Sequence, residues 1–283
     1  PKTKKYWKNA YKSIEFSSFY CECREVVWYP GNGDFIRHDK SLRSSNASLQ
    51  LKQGLGYGKR GEYWDTHVLR PETIFTHEGQ AIPDLSNDEI YHLVLFTNSV
   101  LSQYIINLFC GQHKGNGYVN LLPVPEYEGD LNQNLDTLIS IKQFWLSYDE
   151  TSQEFSYQLI SDLMRLNSIS ELVDNIQKRL KDDNKTLYNF IAENDEFWLS
   201  KVNAPEDYVI KLKEYANQRP KENVSSLFNV SSDKLKERII FELFQNLFGV
   251  LFKRIDLTSE QMVSQISNPL PLCPSSINSV NVS

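Results

Sequence analysis

At Ser86 the apolar residues of this chain change period. Upstream, short apolar pieces rich in Val, Ile, Thr and aromatic residues are separated by Gly and Pro clusters, whereas downstream apolar residues recur every three or four positions. The first pattern buries strands and the second buries helix faces, so an all-β or all-α fold satisfies only one half of the chain. The expectation is an α+β protein, with a mixed α/β domain over residues 1–129 and an all-helical domain over residues 130–283. A chain of 283 residues, 40% hydrophobic, can bury one large core or two ordinary ones.

In the upstream part, Val26-Val27-Trp28-Tyr29 is a β-rich run closed by Pro30-Gly31-Asn32-Gly33, with Phe35-Ile36 resuming beyond it. That order predicts a hairpin or tight β-connection. Further short strands are expected around Thr66–Leu69, Thr73–Thr76 and Gln80–Ile82. Between the two sets, Gly54-Leu55-Gly56-Tyr57-Gly58-Lys59-Arg60-Gly61 reads as a glycine-dense loop ending in two cations. Ser86-Asn87-Asp88-Glu89 is a capping box opening one helix that carries Ile90 to Leu108 on its apolar positions and stops at Gly111. A Gly- and Asn-rich loop then leads to Tyr118–Leu122 and the rigid Pro123-Val124-Pro125. Ser168-Ile169-Ser170-Glu171 and Thr258-Ser259-Glu260-Gln261 are further capping boxes, and the tail from Pro269 is expected to be extended or loosely docked. The spacing of Ile239, Ile240, Leu243, Phe244, Leu247, Phe248, Leu251 and Phe252 predicts an almost wholly buried helix.

A net charge of −6 argues against a protein that coats nucleic acid indiscriminately, but the charge is unevenly placed. Residues 1–70 hold 13 Lys and Arg against 7 Asp and Glu, and the remainder carries about −12. Cys21, Cys23, Cys110 and Cys273 are too few and scattered for a disulfide framework, and Cys21-Glu22-Cys23 lacks the second half of a zinc site. No apolar run approaches the roughly 18 residues of a membrane span, and no apolar core follows the charged N-terminal stretch as in a signal peptide. The expectations are reduced thiols, no metal, no membrane partner and a cytoplasmic location. A start at Pro1 suggests a piece of a longer polypeptide.

Several catalytic patterns are missing. There is no Asn/Asp-Pro-Pro-Tyr/Phe tetrapeptide for a flipped adenine, no glycine-rich strand-to-helix loop suited to S-adenosylmethionine, no phosphate loop and no Gly-x-Ser-x-Gly elbow. His38, His67, His77, His92 and His113 form no His-x-x-x-His pair, and no Pro-Asp is followed by Glu/Asp-x-Lys. No catalytic, cofactor-binding or metal residue is therefore assigned. What remains is a binding surface. Tyr57 to Trp64 interleaves aromatics, glycines and cations, in which Lys59 suits a phosphate and Arg60 suits guanine O6 and N7. Arg37, Lys40 and Arg43 form a second basic cluster for the same groove. Asn98 and Ser99 are expected to cap or pack within the helix, and Asp149, Glu150 and Ser152 to cap a helix start.

The order of these motifs resembles PglX-like methyltransferases of bacteriophage-exclusion systems and related single-chain restriction-modification enzymes. The resemblance is carried by Gly54–Arg60, Val68-Leu69-Arg70-Pro71-Glu72-Thr73-Ile74-Phe75 and Gly79-Gln80-Ala81-Ile82, then Asn98-Ser99 and Leu122-Pro123-Val124-Pro125. Val26-Val27-Trp28 with Gly31–Arg37 precedes them, and the Phe144–Phe155 segment follows, with Leu146 and Gln153 standing where that family has Asp and Trp. The resemblance implies a non-catalytic region that reads a short asymmetric site in double-stranded DNA. It also implies an N-terminal methyltransferase domain of the same parent polypeptide, using S-adenosylmethionine to modify one adenine, and other defence-system subunits as further partners. The rival readings are a divergent nuclease or methyltransferase and a protein-interaction scaffold.

Overall fold

The computed structural model describes residues 6–12, 16–33, 47–126, 131–166 and 168–252. Six short strands precede eight α-helices among these residues, and no strand follows Pro83, so the α+β expectation holds. Contacts divide the chain into two compact units, one formed by Pro1–Leu131 with Ile191–Glu222 and the other by Asn132–Phe190 with Asn223–Ser283. Residues 191–222, which the change of period alone leaves with the helical domain, belong with the first unit.

In the first unit, β1 (Trp7–Tyr11) lies between β2 (Glu25–Trp28), to which it is antiparallel, and β5 (Thr73–Phe75), to which it is parallel. A second sheet places β3 (Gly54–Gly58) between β4 (Thr66–Leu69) and β6 (Gly79–Pro83), all antiparallel. The partner of β2 is thus β1; Phe35 and Ile36 lie outside the described residues. Gly54–Gly58 is not a loop but the central strand of its sheet, buried at every position. Its glycines answer to packing. A Cβ at Gly56 would stand 2.8 Å from the Tyr11 ring, and one at Gly54 would stand 2.1 Å from the carbonyl oxygen of Ile82.

The long helix expected from Ser86 is two helices, α1 (Asn87–Thr97) and α2 (Val100–Phe109). The capping box at Ser86 forms as expected. The break comes from Asn98 and Ser99, both buried. The Asn98 side chain reaches across to Thr66 of β4, donating to its carbonyl oxygen at 3.0 Å and accepting from its N–H at 3.2 Å. Ser99 leaves helical geometry at ψ 154° and caps α2 through Ser102 N. Apolar periodicity runs through both helices, so the interruption is invisible to it. The single turn α3 (Asn116–Val119) starts inside the expected loop.

Helices α4 (Leu131–Leu146), α5 (Gln158–Arg165), α6 (Ile169–Ser200), α7 (Glu206–Ala216) and α8 (Ser232–Leu251) follow. The C-terminal turns of α6 and the whole of α7 serve the first unit. Asn194 Nδ2 donates to Leu95 O at 2.9 Å, Asp195 Oδ1 accepts from Val100 N at 2.6 Å, and Trp198 packs edge-on to Phe96 with its ring parallel to His92. His92 is therefore a packed residue, its Nε2 lying 2.7 Å from Pro125 O.

The second unit is built on aromatics. Trp145, Tyr148 and Phe228 are buried against one another, Trp145 Nε1 donates to Asp183 Oδ2 at 2.8 Å, and Tyr148 Oη donates to Asp162 Oδ2 at 2.6 Å. The Phe144–Phe155 motif is thus core and turn. Asp149 and Ser152 cap the turn at 149–154 through Thr151 N and Glu154 N, not a helix start, since α5 begins only at Gln158. At α6 the Ser168 box supplies its cap, Ser168 Oγ accepting from Glu171 N at 3.2 Å. Helix α8 corrects another expectation. Leu235, Ile239 and Leu243 are buried, but Phe244, Leu247, Phe248 and Leu251 are exposed, so only one face of the helix is covered. The box at Thr258 and the tail lie outside the described residues.

Candidate functional site

Where β3 ends at Gly58, the chain turns outward at Lys59. Residues 59–61 then pair as a further short extended segment with residues 112–114. Lys114 N donates to Lys59 O at 2.8 Å, Gly61 N donates to Gln112 O at 3.0 Å, and Arg60 and His113 form an antiparallel bridge. Lys114 fixes the arrangement from beneath. It is 1% exposed, and its Nζ reaches Gly61 O and Gly111 O at 2.7 Å, Asn107 Oδ1 at 2.9 Å and Glu62 O at 3.2 Å. All four acceptors are neutral. Burial pushes this ammonium below the usual lysine value, opposed by Cys110 and Glu62. Charge-assisted hydrogen bonds from one buried cation to two chain segments make a stiff support for the turn.

The turn overlooks a cleft of about 430 Å³ lined by Lys12, Lys59, Arg60, Tyr63, Asp65 and Glu78, among others. Each cation already has a neighbour. Arg60 forks onto Glu78, Nε to Oε2 at 3.0 Å and Nη2 to Oε1 at 3.2 Å. Lys12 Nζ meets Glu25 Oε1 at 3.1 Å. Lys59 Nζ lies 3.0 Å from His77 Nε2, an imidazole and not a carboxylate. Desolvation is the largest single influence on the Glu78 carboxyl and raises it, but the hydrogen bond with His77 and the charges of Arg60, Lys59 and His77 together outweigh it and hold the group below its ordinary value.

Asp65 is a different kind of lining residue. Only 5% exposed, it sits at the end of a buried polar chain: Tyr11 Oη to His67 Nδ1 at 2.6 Å, and His67 Nε2 to Asp65 Oδ2 at 3.3 Å, off the line of a good hydrogen bond. Oδ2 also accepts from Ser17 N at 2.9 Å. The other oxygen, Oδ1, has no hydrogen-bond partner among the described residues.

Of the expected contact residues, Lys59 and Arg60 stand side by side at this cleft, while Arg37, Lys40 and Arg43 lie outside the described residues. Lys12, Asp65, Glu78 and Lys114 were not singled out by sequence; they come together through sheet pairing, which leaves no local pattern. Asn98 and Ser99 pack and cap, as expected. Burial drives the Cys23 thiol up to about 11, Arg70 opposing and Glu22 adding to the shift, and among the described residues no group of three His, Cys, Asp or Glu is placed to hold a metal. Among the same residues no helix is long and apolar enough to cross a membrane. No protein-family model and no curated protein matches the chain.

Proposed function

We propose that the first unit reads double-stranded DNA as the target-recognition part of an adenine-specific DNA methyltransferase of a phage-defence or restriction-modification system. In this reading the chain itself is non-catalytic, the S-adenosylmethionine-dependent domain lies N-terminal to it in the same polypeptide, and the complex works in the cytoplasm. The observation that carries the reading is the turn at Lys59-Arg60, held by Lys114 and by pairing with residues 112–114, with both side chains presented together at an open cleft. A rigid mount is what a base-reading arginine needs, because discrimination depends on fixed donor geometry. The order of motifs along the chain supports the same reading, and Arg37, Lys40 and Arg43 would add phosphate contacts.

The test is selection by the 283-residue chain from a pool of randomised duplexes at low salt, followed by titration of the enriched duplex at several salt concentrations. A short enriched site and an affinity that falls linearly with log salt are expected. A pool that emerges unenriched, or binding indifferent to salt, would overturn the reading.

A further inference from the structure

We infer that the cleft beneath the Lys59-Arg60 turn takes a single unstacked nucleotide whose base carries an exocyclic amino group, with Lys59 receiving the phosphate and Asp65 accepting from the amino group. The inference builds on the DNA reading of the same site and names what enters the cleft, which that reading leaves open.

Asp65 is the main ground. It is almost wholly buried but lines the cleft, and its Oδ1, which has no partner among the described residues, is not sealed from solvent, so it is the oxygen that a ligand donor can reach. Ser17 N and the Tyr11–His67 chain hold its other oxygen, so the group is oriented before any ligand arrives. Lys59 supplies the complementary charge, since the neighbour of its ammonium is an imidazole, whereas Arg60 and Lys12 face carboxylates.

The remaining lining chooses the ligand class. Phe16 and Tyr63 offer aromatic surface to a flat ring, and Tyr63 is braced from behind by Tyr215, the ring centroids 6.0 Å apart and 30° from parallel. Glu62 and Glu78 also line the cleft, so a purely anionic ligand meets repulsion that a donor edge avoids. At about 430 Å³ the cleft has the size of a small-molecule site. Cytosine, adenine and guanine each present an amino donor. Thymine presents only a ring N–H flanked by two carbonyl oxygens that a carboxylate repels. The nucleotide has two possible sources, a base swung out of a DNA strand and a free nucleotide.

Calorimetry of the full chain with dCMP, dAMP, dGMP and TMP tests the inference. The three amino-bearing nucleotides should bind about tenfold or more tighter than TMP, the discrimination of a hydrogen bond to a charged group. Asp65→Asn should bring all four to within about threefold of one another. Tyr63→Leu, on the cleft wall and away from the buried polar chain, should weaken all four alike and serves if the Asp65 variant does not fold. Duplexes bearing one bulged cytosine or one bulged thymine separate the sources. Preference for the bulged cytosine points to a strand nucleotide, and discrimination among free nucleotides alone points to a free one. TMP binding as well as the others, or no nucleotide binding at millimolar concentration, overturns the inference. Neither result touches binding to a perfect duplex, whose loss counts against the DNA reading instead.

Discussion

Arg60 and Glu78 grip each other by two hydrogen bonds where β3 leaves its sheet and β6 enters it, although the arginine side chain remains 67% exposed. An exposed pair of this kind contributes little to stability but keeps the guanidinium turned toward the carboxylate. A base or phosphate must displace Glu78 before Arg60 can fork onto it. Glu78→Gln should therefore raise duplex affinity by roughly two- to fivefold, read by fluorescence anisotropy. Because the folded carboxyl lies below its ordinary value, the pair is present above that value and is lost only as pH falls through the lowered one. Wild-type affinity should therefore show no pH dependence from Glu78 near neutrality, where the pair is fully present. Unchanged or weaker binding by the glutamine variant would remove the Arg60 fork from the interface.

Lys59 and Arg60 share a turn but should fail differently. Lys59→Ala should weaken binding to all duplexes similarly and lower the salt slope by about one unit, the signature of a phosphate contact. Arg60→Ala should cost on the order of 1–3 kcal/mol on the selected site and relax preference at one base pair. Titrations of selected and scrambled duplexes at two or more salt concentrations separate these. Wild-type behaviour by both variants would exclude this turn from the DNA contact.

The glycines of β3 make a prediction of the opposite kind. Gly56→Ala puts a methyl group 2.8 Å from the buried Tyr11 ring, so the ring or the strand must shift, at about 1–3 kcal/mol. Urea unfolding should register this loss, while duplex affinity of the folded variant should stay near wild type because Gly56 faces Tyr11. Lost DNA binding with unchanged stability would mean that Gly56 serves the DNA contact and not the packing against Tyr11.

The two halves of the fold were legible for different reasons. Thr66–Leu69 announces itself by β-rich composition and Gln80–Ile82 as a short apolar piece set off by His77-Glu78-Gly79, and the Ser86 box marks a helix start because its two reciprocal hydrogen bonds are local. Gly54–Gly58 misleads because glycine is a loop signal unless a neighbour such as Tyr11 needs the space, and that neighbour lies far away in sequence. The same blindness applies at Asn98, where a partner on β4 ends a helix that periodicity continues, and at α8, where periodicity gives the apolar stripe but not what covers it. In the site, Lys59 and Arg60 were readable from their own neighbours. Asp65 and Lys114 acquire meaning only from burial and from acceptors on other segments.

Cys23 provides a pH test of whether Cys21-Glu22-Cys23 can act as a ligand pair. With its thiol pushed up to about 11, only a small fraction is thiolate near neutrality, and thiolate is the species that binds metal or reacts. Alkylation of Cys23 by iodoacetamide, followed by mass spectrometry, should accelerate about tenfold per pH unit across the mildly alkaline range without levelling off. A rate already at its plateau near pH 8 would mean a thiolate stabilised by its surroundings, and would reopen Cys21-Glu22-Cys23 as a ligand pair.

The last prediction concerns Asn98, which joins the helix break to β4. Its Nδ2 lies 3.0 Å from Thr66 O, 2.8 Å from Thr66 Oγ1 and 2.8 Å from Val94 O, while its Oδ1 accepts from Thr66 N at 3.2 Å. Asn98→Ala strands a buried N–H and should cost about 2–4 kcal/mol in urea unfolding followed by tryptophan fluorescence. Asn98→Asp keeps the acceptor for Thr66 N but turns a carboxylate toward two carbonyl oxygens, so at neutral pH it should be at least as damaging. That repulsion and the burial raise the folded pKa of the new carboxyl above its unfolded value. The stability it retains is therefore fully present below the unfolded pKa and lost as pH rises through the folded one, so the Asp variant should recover toward wild type in acid while the Ala variant should not. Equal stability of both variants at every pH, or no loss in either, would mean that the turn between α1 and α2 is set by backbone geometry and not by this side chain.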